Sequence, residues 1–286
     1  MNTAQSRLSV LTPAKINICL RITGKLPNGY HELFTIIVPV GLYDRLDFSL
    51  SNSQNIHFCC DDKSIPSDHK NLVFKAAKAF YERAGIPPSV KIDLYKTIPS
   101  GAGLGGGSSN AAFTLTSLNK LYNNILSREE LFSEALKLGA DVPFFLDPAP
   151  SVACGIGEKL KKIPKWPMAW YLIVKPPYNT STAWVYNNFK LRLTSNATDY
   201  KLNSLEKNKI IIPDLLYNDL ESVTVAQFQD LAEIKAYLIK YGAEGSLMTG
   251  SGSAVFGVFS EKGNAMAAAE KIRHHNLGQL FVVPSI

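Results

Sequence analysis

The chain has 286 residues, of which 46% are hydrophobic and 19% charged. It is long enough for one large domain or two ordinary ones with a substantial core, and its composition excludes an intrinsically disordered protein. The net charge of +6 suits an anionic substrate but does not require one. The N-terminus lacks the apolar segment of a signal peptide, and no stretch approaches the roughly 18 apolar residues of a membrane span.

Neither the cysteines nor the densest lysine cluster indicates a metal or nucleic-acid site. The 4 cysteines have no CxxC spacing, which argues against zinc. We expect Cys59 and Cys60 to be buried thiols, in a protein of the reducing cytoplasm. The lysines between Lys159 and Lys165 are interrupted by a proline, and we interpret them as a solvated turn.

The first third of the chain is predicted to be mainly strand, because β-branched and aromatic residues are enriched there between turn-forming residues. The predicted strands are residues 7–11, 16–22, 34–50, 56–60 and 90–98. A helix capped by Asn71 lies between the last two strands, since apolar residues recur on one of its faces.

Two successive helices are predicted next, one from about Ser108 and one from the capping box of Ser127 and Glu130 to Gly139. The rest of the chain is predicted to alternate between strands and helices, with a polar, loop-like stretch at residues 191–209. Strands are predicted at 151–154, 170–174, 246–248, 254–259 and 280–283, and helices at 229–241 and 264–274. A shift in composition indicates two lobes, residues 1–160 and 161–286.

The most distinctive segment contains five glycines within seven residues, Gly101 to Gly107. Glycine adopts positive φ freely and lets a ligand approach the backbone. The serines and asparagine that follow favour a helix N-terminus, whose free N–H groups and positive dipole end attract anions. We therefore predict a phosphate-binding loop. Its candidate binding residues are Pro99, Ser100, Gly101, Ala102, Gly103, Leu104, Gly105, Gly106, Gly107, Ser108 and Ser109.

Better-known glycine motifs fit this run poorly. Gly101 to Gly106 matches GxGxxG, but a dinucleotide-binding fold needs a second strand soon after the helix, and a second helix is predicted here. The Walker motif fails because Gly107 is followed by serine and not lysine. The chain has no HRD or DFG triplet of protein kinases. A tight turn without a ligand remains the alternative, although such a turn rarely needs five glycines.

Three motifs, taken together, resemble those of the GHMP kinases, a family named after galactokinase, homoserine kinase, mevalonate kinase and phosphomevalonate kinase. The glycine run resembles the central motif, and Pro-Ala-Lys-Ile-Asn at residues 13–17 resembles the N-terminal one. Met-Thr-Gly-Ser-Gly-Ser-Ala-Val-Phe at residues 248–256 resembles the C-terminal glycine motif, with Thr249 where the family more often has serine. The resemblance covers nearly the whole chain.

Three further stretches resemble the members of that family that phosphorylate a cytidine diphosphate-linked methylerythritol in non-mevalonate isoprenoid synthesis. They are Asn-Gly-Tyr-His-Glu-Leu at 28–33, Gly-Ala-Asp-Val-Pro-Phe-Phe at 139–145 and Asn-Asp-Leu-Glu at 218–221. The resemblance implies γ-phosphoryl transfer from ATP to the 2-hydroxyl of that acceptor, with ATP and Mg²⁺ as cofactors.

The resemblance implies that Lys15 and Asp141 are the catalytic residues. Asp141 takes the proton of the accepting hydroxyl, while the Lys15 ammonium favours its charged form and screens the approaching phosphate. From the residues alone, Asp141 is equally an N-cap for the next short helix, and Lys15 is better explained as an exposed lysine at a strand edge.

Substrate-binding residues follow from the same resemblance, except that Asn17 is expected on the substrate side because it faces the same way as Lys15 along a strand. The family places Tyr30 and His31 at the cytidine base, a threonine and a stacking aromatic at Thr182 and Tyr186, and the C-terminal turn at the substrate phosphates. The candidate residues are Asn17, Tyr30, His31, Thr182, Tyr186, Gly250 and Ser251.

The fold that the resemblance implies is the α+β two-lobe GHMP kinase fold. Its N-terminal lobe resembles the second domain of ribosomal protein S5, and its C-terminal lobe is ferredoxin-like. We expect a small-molecule substrate, no nucleic-acid or membrane partner, and a monomer or weak homodimer. The alternatives are another small-molecule kinase of the family, of the mevalonate or homoserine type, and a non-catalytic nucleic-acid binder that uses the S5-like lobe.

Overall fold

The computed structural model describes residues 6–27, 29–190 and 210–286. The strands are β1 Arg7–Lys25, β2 His31–Leu50, β3 Ile56–Cys60, β4 Val90–Tyr95, β5 Ser151–Gly155, β6 Lys159–Lys162, β7 Trp170–Lys175, β8 Tyr217–Asn218, β9 Gly245–Met248, β10 Val255–Phe259 and β11 Gln279–Pro284. The α-helices are α1 Leu72–Ala84, α2 Gly106–Leu121, α3 Arg128–Leu138, α4 Thr182–Asn188, α5 Ile212–Leu215, α6 Glu221–Gln227, α7 Asp230–Lys240 and α8 Lys262–Arg273, and a 3-10 helix spans Pro143–Leu146.

The chain divides into two compact units. The first contains the residues up to Ala14, Leu42–Ile98 and Gly105–Pro148, and the second contains Lys15–Gly41, Pro99–Leu104 and the residues from Ala149 onward. Strands β1 and β2 and the glycine run therefore each contribute residues to both units. The division into lobes 1–160 and 161–286 stays a prediction.

The first unit packs three helices beside a small sheet. Strand β4 pairs antiparallel with the C-terminal part of β2 and parallel with β3. Helix α1 begins where the Asn71 side chain accepts the N–H of Val73 at 2.8 Å, and α3 begins with the predicted capping box of Ser127 and Glu130. Helices α1, α2 and α3 all contact one another. Strand β4 thus ends at Tyr95, shortly before the glycine run, and α2 begins within the run at Gly106.

The second unit contains a four-stranded antiparallel sheet in the order β11-β7-β10-β9. The strands of this sheet and the helices packed on it come in the chain order β7, α7, β9, β10, α8 and β11, with α4, α5, β8 and α6 between β7 and α7. This order is the β-α-β-β-α-β arrangement of ferredoxin-like folds. Helix α7 packs on β9 and β10, and α8 packs on β7 and β11. All five residues of β10 are buried, so this strand lies at the centre of the core. The predicted ferredoxin-like topology is confirmed.

Some local predictions were wrong. The lysines at residues 159–162 form strand β6, which within the described chain pairs only with β5 and carries exposed lysines, as edge strands that resist further pairing often do. Cys59 is exposed, because β3 alternates between exposed and buried residues and its buried residue is Phe58.

The loop-like stretch predicted at residues 191–209 lies outside the described residues. Within the described ranges no helix is long and apolar enough to span a bilayer.

Candidate active site

The glycine run joins β4 to α2 and leaves the start of that helix open. Gly101, Gly103 and Gly105 have φ of 63°, 76° and 71°, a left-handed conformation that favours glycine. Gly105 is the N-cap of α2, and no side chain caps the helix there. The first N–H groups of α2 therefore lack a side-chain acceptor, which is the arrangement that binds anions at helix N-termini.

Two glycines of the run also make room for the protein itself. A Cβ at Gly103 would lie 2.2 Å from the backbone oxygen of Thr249. A Cβ at Gly106 would lie 2.9 Å from Ile98 Cγ2 and 3.2 Å from Lys96 Nζ. At these positions a side chain would displace neighbouring groups, so packing alone already requires both glycines.

Ser109 has a buried hydroxyl that makes no hydrogen bond with the described residues. The residue is fully buried in the first turn of α2, and its Oγ has no hydrogen-bond partner among the described residues. A buried hydroxyl without a partner is destabilising unless something else binds it. The role of Ser109 at a phosphate or a phosphate-bound metal ion stays a prediction.

All three motifs meet by direct hydrogen bonds inside the second unit. The N–H of Lys15 donates to Leu104 O at 2.9 Å, and the N–H of Ala254 donates to Ala102 O at 3.1 Å. The N–H of Asn17 donates to Thr249 Oγ1 at 3.0 Å. The N-terminal motif, the first half of the glycine run and the C-terminal glycine turn thus form one bonded assembly.

Thr249 is the residue at which these motifs join, and the sequence analysis gave it no role. It is fully buried. Besides accepting from Asn17, its hydroxyl has Asn17 Oδ1 and Gly103 O as acceptors, both at 3.4 Å. The sequence signal for it was its place in the C-terminal glycine motif, where the family more often has serine.

Lys15 is buried at 4% exposure, which excludes the exposed strand-edge alternative. Its ammonium donates to Asn17 Oδ1 at 2.6 Å, and Asn17 Nδ2 donates to Thr35 Oγ1 at 2.9 Å. Lys15 and Asn17 therefore lie side by side on β1, as their spacing predicts, and each is oriented by its neighbours.

The C-terminal glycine turn is fixed to the segment that begins α4. Thr182 Oγ1 and Ser251 Oγ are 2.9 Å apart, and Thr180 Oγ1 donates to Ser251 O at 3.1 Å. Asn218 Nδ2 donates to the carbonyl oxygens of Met248 and Gly250, both at 2.8 Å. The predicted residues Thr182, Gly250 and Ser251 are thus brought together, and Asn218 of the Asn-Asp-Leu-Glu stretch supports them.

Lys175 and Ser253 support the same segment, and neither was singled out from the sequence. Lys175 Nζ and Ser253 Oγ both donate to Tyr178 O, each at 2.7 Å. Burial lowers the pKa of Lys175. These contacts hold the chain between β7 and α4 in place.

His31 lies beside the aromatic residues of α4 and its C-terminus. Its ring centroid is 5.3 Å from that of Tyr186 and 6.5 Å from that of Phe189. Burial, with a smaller contribution from the positive charge of Lys25, lowers the pKa of His31, so its imidazole is neutral at neutral pH. The adjacent Tyr30 is 57% exposed. Asn28, in the same stretch, lies outside the described residues.

Asp141 belongs to the first unit and lies between α3 and the 3-10 helix, half-buried. The N-cap of the 3-10 helix is Val142, so the capping role that the sequence left open is not the role of Asp141. The pairing of Asp141 with Lys15 stays a prediction.

We expect the Thr249 hydroxyl, and not its methyl group, to hold the motifs together. Thr249→Val keeps the shape but leaves the Asn17 N–H without its acceptor, so amide hydrogen exchange at Asn17 accelerates by about tenfold or more. Thr249→Ser keeps the hydroxyl and is the matched control, with exchange close to that of the wild type. Equal exchange rates in the two variants would contradict this role.

Comparisons with known proteins agree with this geometry. The profile "GHMP kinases N terminal domain" matches residues 71–147 and "GHMP kinases C terminal" matches residues 201–276. The chain is 45% identical to a 4-diphosphocytidyl-2-C-methyl-D-erythritol kinase of Syntrophotalea carbinolica, over 97% of this chain and 99% of that protein. It is 42% identical to a protein of the same name from Syntrophus aciditrophicus, over 98% and 99%.

Solved structures show the same relationship. A crystal structure of 4-(cytidine 5'-diphospho)-2C-methyl-D-erythritol kinase superimposes with a TM-score of 0.82 at 35% identity, covering 98% of this chain and 100% of that one. A homoserine kinase from Cytophaga hutchinsonii gives a TM-score of 0.76 at 19% identity, over 100% and 96%, which shows the shared fold alone. The predicted α+β GHMP kinase fold is confirmed. The chain therefore belongs to the GHMP kinases and, among them, to the family of its 4-diphosphocytidyl-2-C-methyl-D-erythritol kinase relatives.

Proposed function

We propose that this protein transfers the γ-phosphoryl group of ATP to the 2-hydroxyl of 4-diphosphocytidyl-2-C-methyl-D-erythritol. ATP use follows from membership of a kinase family, and the acceptor is the one named for the relatives. Kinase chemistry requires that phosphates be held, that a hydroxyl be positioned and that charge be neutralised. The described residues supply groups for each requirement.

One observation carries the choice of acceptor. Thr182 and Tyr186 lie four residues apart on α4, so they share a face of that helix at a separation of about 6 Å. Thr182 contacts the glycine turn through Ser251, and Tyr186 contacts His31. The glycine turn, which we assign to the substrate phosphates, and the aromatic pair, which we assign to the base, are therefore held one helical turn apart. This spacing suits a nucleoside diphosphate better than mevalonate or homoserine.

On the nucleotide side, the backbone N–H groups from Gly103 to Ser109 would cradle the β- and γ-phosphates. Among the described residues, no group of three or more His, Cys, Asp or Glu side chains could hold a metal ion. Magnesium usually keeps several waters and is bound through substrate phosphates and one or two carboxylates. We assign the Ser108 or Ser109 hydroxyl to a hydrogen bond with phosphate or to contact with the ion. The ion would neutralise charge on the transferring phosphoryl group.

On the acceptor side, we assign Asp141 as the base that takes the proton of the 2-hydroxyl, and Lys15 as the cation that neutralises charge beside it. Asn17 orients Lys15 through their hydrogen bond. His31, Tyr30 and Tyr186 would bind the cytosine. The ring of Tyr186 is suited to stacking, and its hydroxyl group keeps a polar partner or water.

The identity of the product tests the proposal directly. The protein is incubated with ATP and the cytidylated acceptor, and the mixture is followed by phosphorus NMR and mass spectrometry. We expect one new phosphate monoester on the tertiary carbon for each ADP formed. ADP formation without a phosphorylated acceptor, or transfer to mevalonate or homoserine at the same rate, would refute the assignment.

We expect Ser109→Ala to weaken ATP binding without destabilising the fold. The wild-type hydroxyl has no protein partner within the described chain, so its removal breaks no internal bond, but a phosphate loses one hydrogen bond, worth about tenfold in ATP affinity. Ser117→Ala, two turns along the same helix, is the matched control. An unchanged ATP affinity in Ser109→Ala, measured by titration, would argue against the loop assignment.

We expect Asp141→Asn to bind both substrates but to turn over slowly. General base catalysis contributes at least about a hundredfold, so kcat falls by that factor while KM for ATP changes by less than about twofold. Asp147→Asn, an exposed carboxylate nearby, is the control. Turnover close to the wild-type rate would remove Asp141 from the mechanism.

The lowered pKa of His31 sets an expected pH dependence. Because this pKa lies below the usual 6.5, the imidazole stays neutral as pH falls to that value and becomes charged only below it. If the neutral ring binds cytosine, KM for the cytidylated acceptor is flat above pH 6.5 and rises at lower pH. His31→Gln should lose the rise and His57→Gln should keep it. A rise that begins at higher pH would contradict the assignment.

A further inference from the structure

A buried carboxylate outside the assigned site, that of Asp44 on β2, binds the chain just before the glycine run. Asp44 is fully buried. Its Oδ1 accepts the N–H groups of Thr97 at 2.7 Å and Ile98 at 2.8 Å. Its Oδ2 forms an ion pair with the Lys96 ammonium, which is itself almost completely buried. Three consecutive residues are thus held by one side chain, and the residue after them is Pro99.

Two of these residues, Lys96 and Ile98, also contact the other end of the run. The Cα of Gly106, the first residue of α2, lies so close to Ile98 and Lys96 that a Cβ would be 2.9 Å from Ile98 Cγ2 and 3.2 Å from Lys96 Nζ. The residue before the run and the residue that starts the helix are therefore in contact, within the first unit. Because Asp44 binds the N–H of Ile98, and Ile98 contacts Gly106, Asp44 fixes both ends of the loop between Ile98 and Gly106.

A second connection ties α2 to the strands. Thr12 Oγ1 on β1 donates to Asn110 Oδ1 at 2.7 Å, and the backbone oxygen of Asp44 lies 3.4 Å from the same hydroxyl. Thr12, Asp44 and Asn110 are all buried. The N-terminal part of α2 is therefore joined to β1 by side chains and to the segment after β4 by packing at Gly106.

Stability alone does not explain a carboxylate at this position. A buried ion pair loses so much hydration that apolar residues of the same volume are often at least as stable. What the carboxylate adds is directional: charge-assisted bonds to two successive N–H groups define the backbone course at one place. A fixed backbone course favours ligand binding where a loop presents its own N–H groups to the ligand, because ordering the loop in advance lowers the entropy cost of binding.

We propose that Asp44 is a positioning residue for ATP, which orders the glycine run before the nucleotide binds by holding the N–H groups of Thr97 and Ile98. This inference rests on the proposed function, in which the run is the ATP loop. Asp44 would then act on ATP binding through the backbone of the glycine run, without contacting the nucleotide.

Two double variants isolate the backbone contacts from the ion pair. Asp44→Asn with Lys96→Met keeps an oxygen for the two N–H groups, whereas Asp44→Ala with Lys96→Met removes it, and neither retains the ammonium. We expect the alanine variant to bind ATP at least about tenfold more weakly than the asparagine variant, with KM for the cytidylated acceptor the same in both within about twofold. Equal ATP affinities, or parallel changes in both constants, would overturn the proposal.

Failure of the inference can be told apart from failure of the proposed function. If Ser109→Ala weakens ATP binding while the two double variants bind ATP equally, the run is the ATP loop and Asp44 does not position it. If the wild-type protein binds no ATP, both are overturned.

A measurement on the unaltered protein covers the case in which the alanine variant does not fold. Amide hydrogen exchange of the nucleotide-free wild type should show Thr97 and Ile98 protected, more slowly exchanging than the amides of Gly101 and Gly107. Exchange at Thr97 and Ile98 as fast as in those glycines would overturn the proposal.

Discussion

The contact between Gly103 and Thr249 is the constraint on which the second unit's part of the site depends. The backbone oxygen of Thr249 occupies the space of a side chain at position 103, since a Cβ there would be 2.2 Å away. Because glycine allows this approach, the Thr249 hydroxyl reaches both Gly103 O and the backbone of Asn17. A larger residue at position 103 would separate the glycine run from the turn that carries Ser251. The backbone hydrogen bonds that position Lys15 and Asn17 would then be lost.

Buried polar groups in this assembly are bonded to one another, which explains how so polar a site remains ordered. Lys15, Asn17 and Thr249 are each at most 4% exposed, and each is hydrogen-bonded to a neighbour. Buried polar networks that are satisfied are rigid, and their members are costly to leave unpaired. Ser109 differs because its hydroxyl has no partner among the described residues. Because of this contrast, Ser109 is the residue that we propose to test for phosphate binding.

The sequence predicted the regular parts of this fold well, because those parts carry local signals. The Asn71 cap, the capping box at Ser127 and the alternation of strand residues each depend on a few neighbouring positions. The three family motifs were also recognisable, since the resemblance ties residue type to place, whereas the roles of Lys15 and Tyr186 stay predictions.

Other features depend on contacts that sequence alone does not contain. Helix α4 spans seven residues, too few for an apolar period to emerge, although it carries Thr182 and Tyr186. Strand β6 was taken for a turn because its lysines are exposed at an edge. Asp44 lies in no motif, and Thr249 lies in the C-terminal glycine motif without a role that the motif assigns, so the contacts of both appear only when distant segments meet. The sequence does not show that Gly106 packs against Ile98, because every glycine in this run suggests a ligand-binding role.

The acceptor itself tests most directly the proposal that the glycine run binds phosphate and that His31 and Tyr186 bind the base. The measurement compares kcat/KM for 4-diphosphocytidyl-2-C-methyl-D-erythritol with that for the same methylerythritol phosphate lacking the cytidyl group, at saturating ATP. Binding energy from a remote part of a substrate contributes to catalysis at the reacting centre, so removal of the cytidyl group should lower kcat/KM by at least about a hundredfold. Equal values for the two acceptors would contradict a site in which His31 and Tyr186 select the substrate.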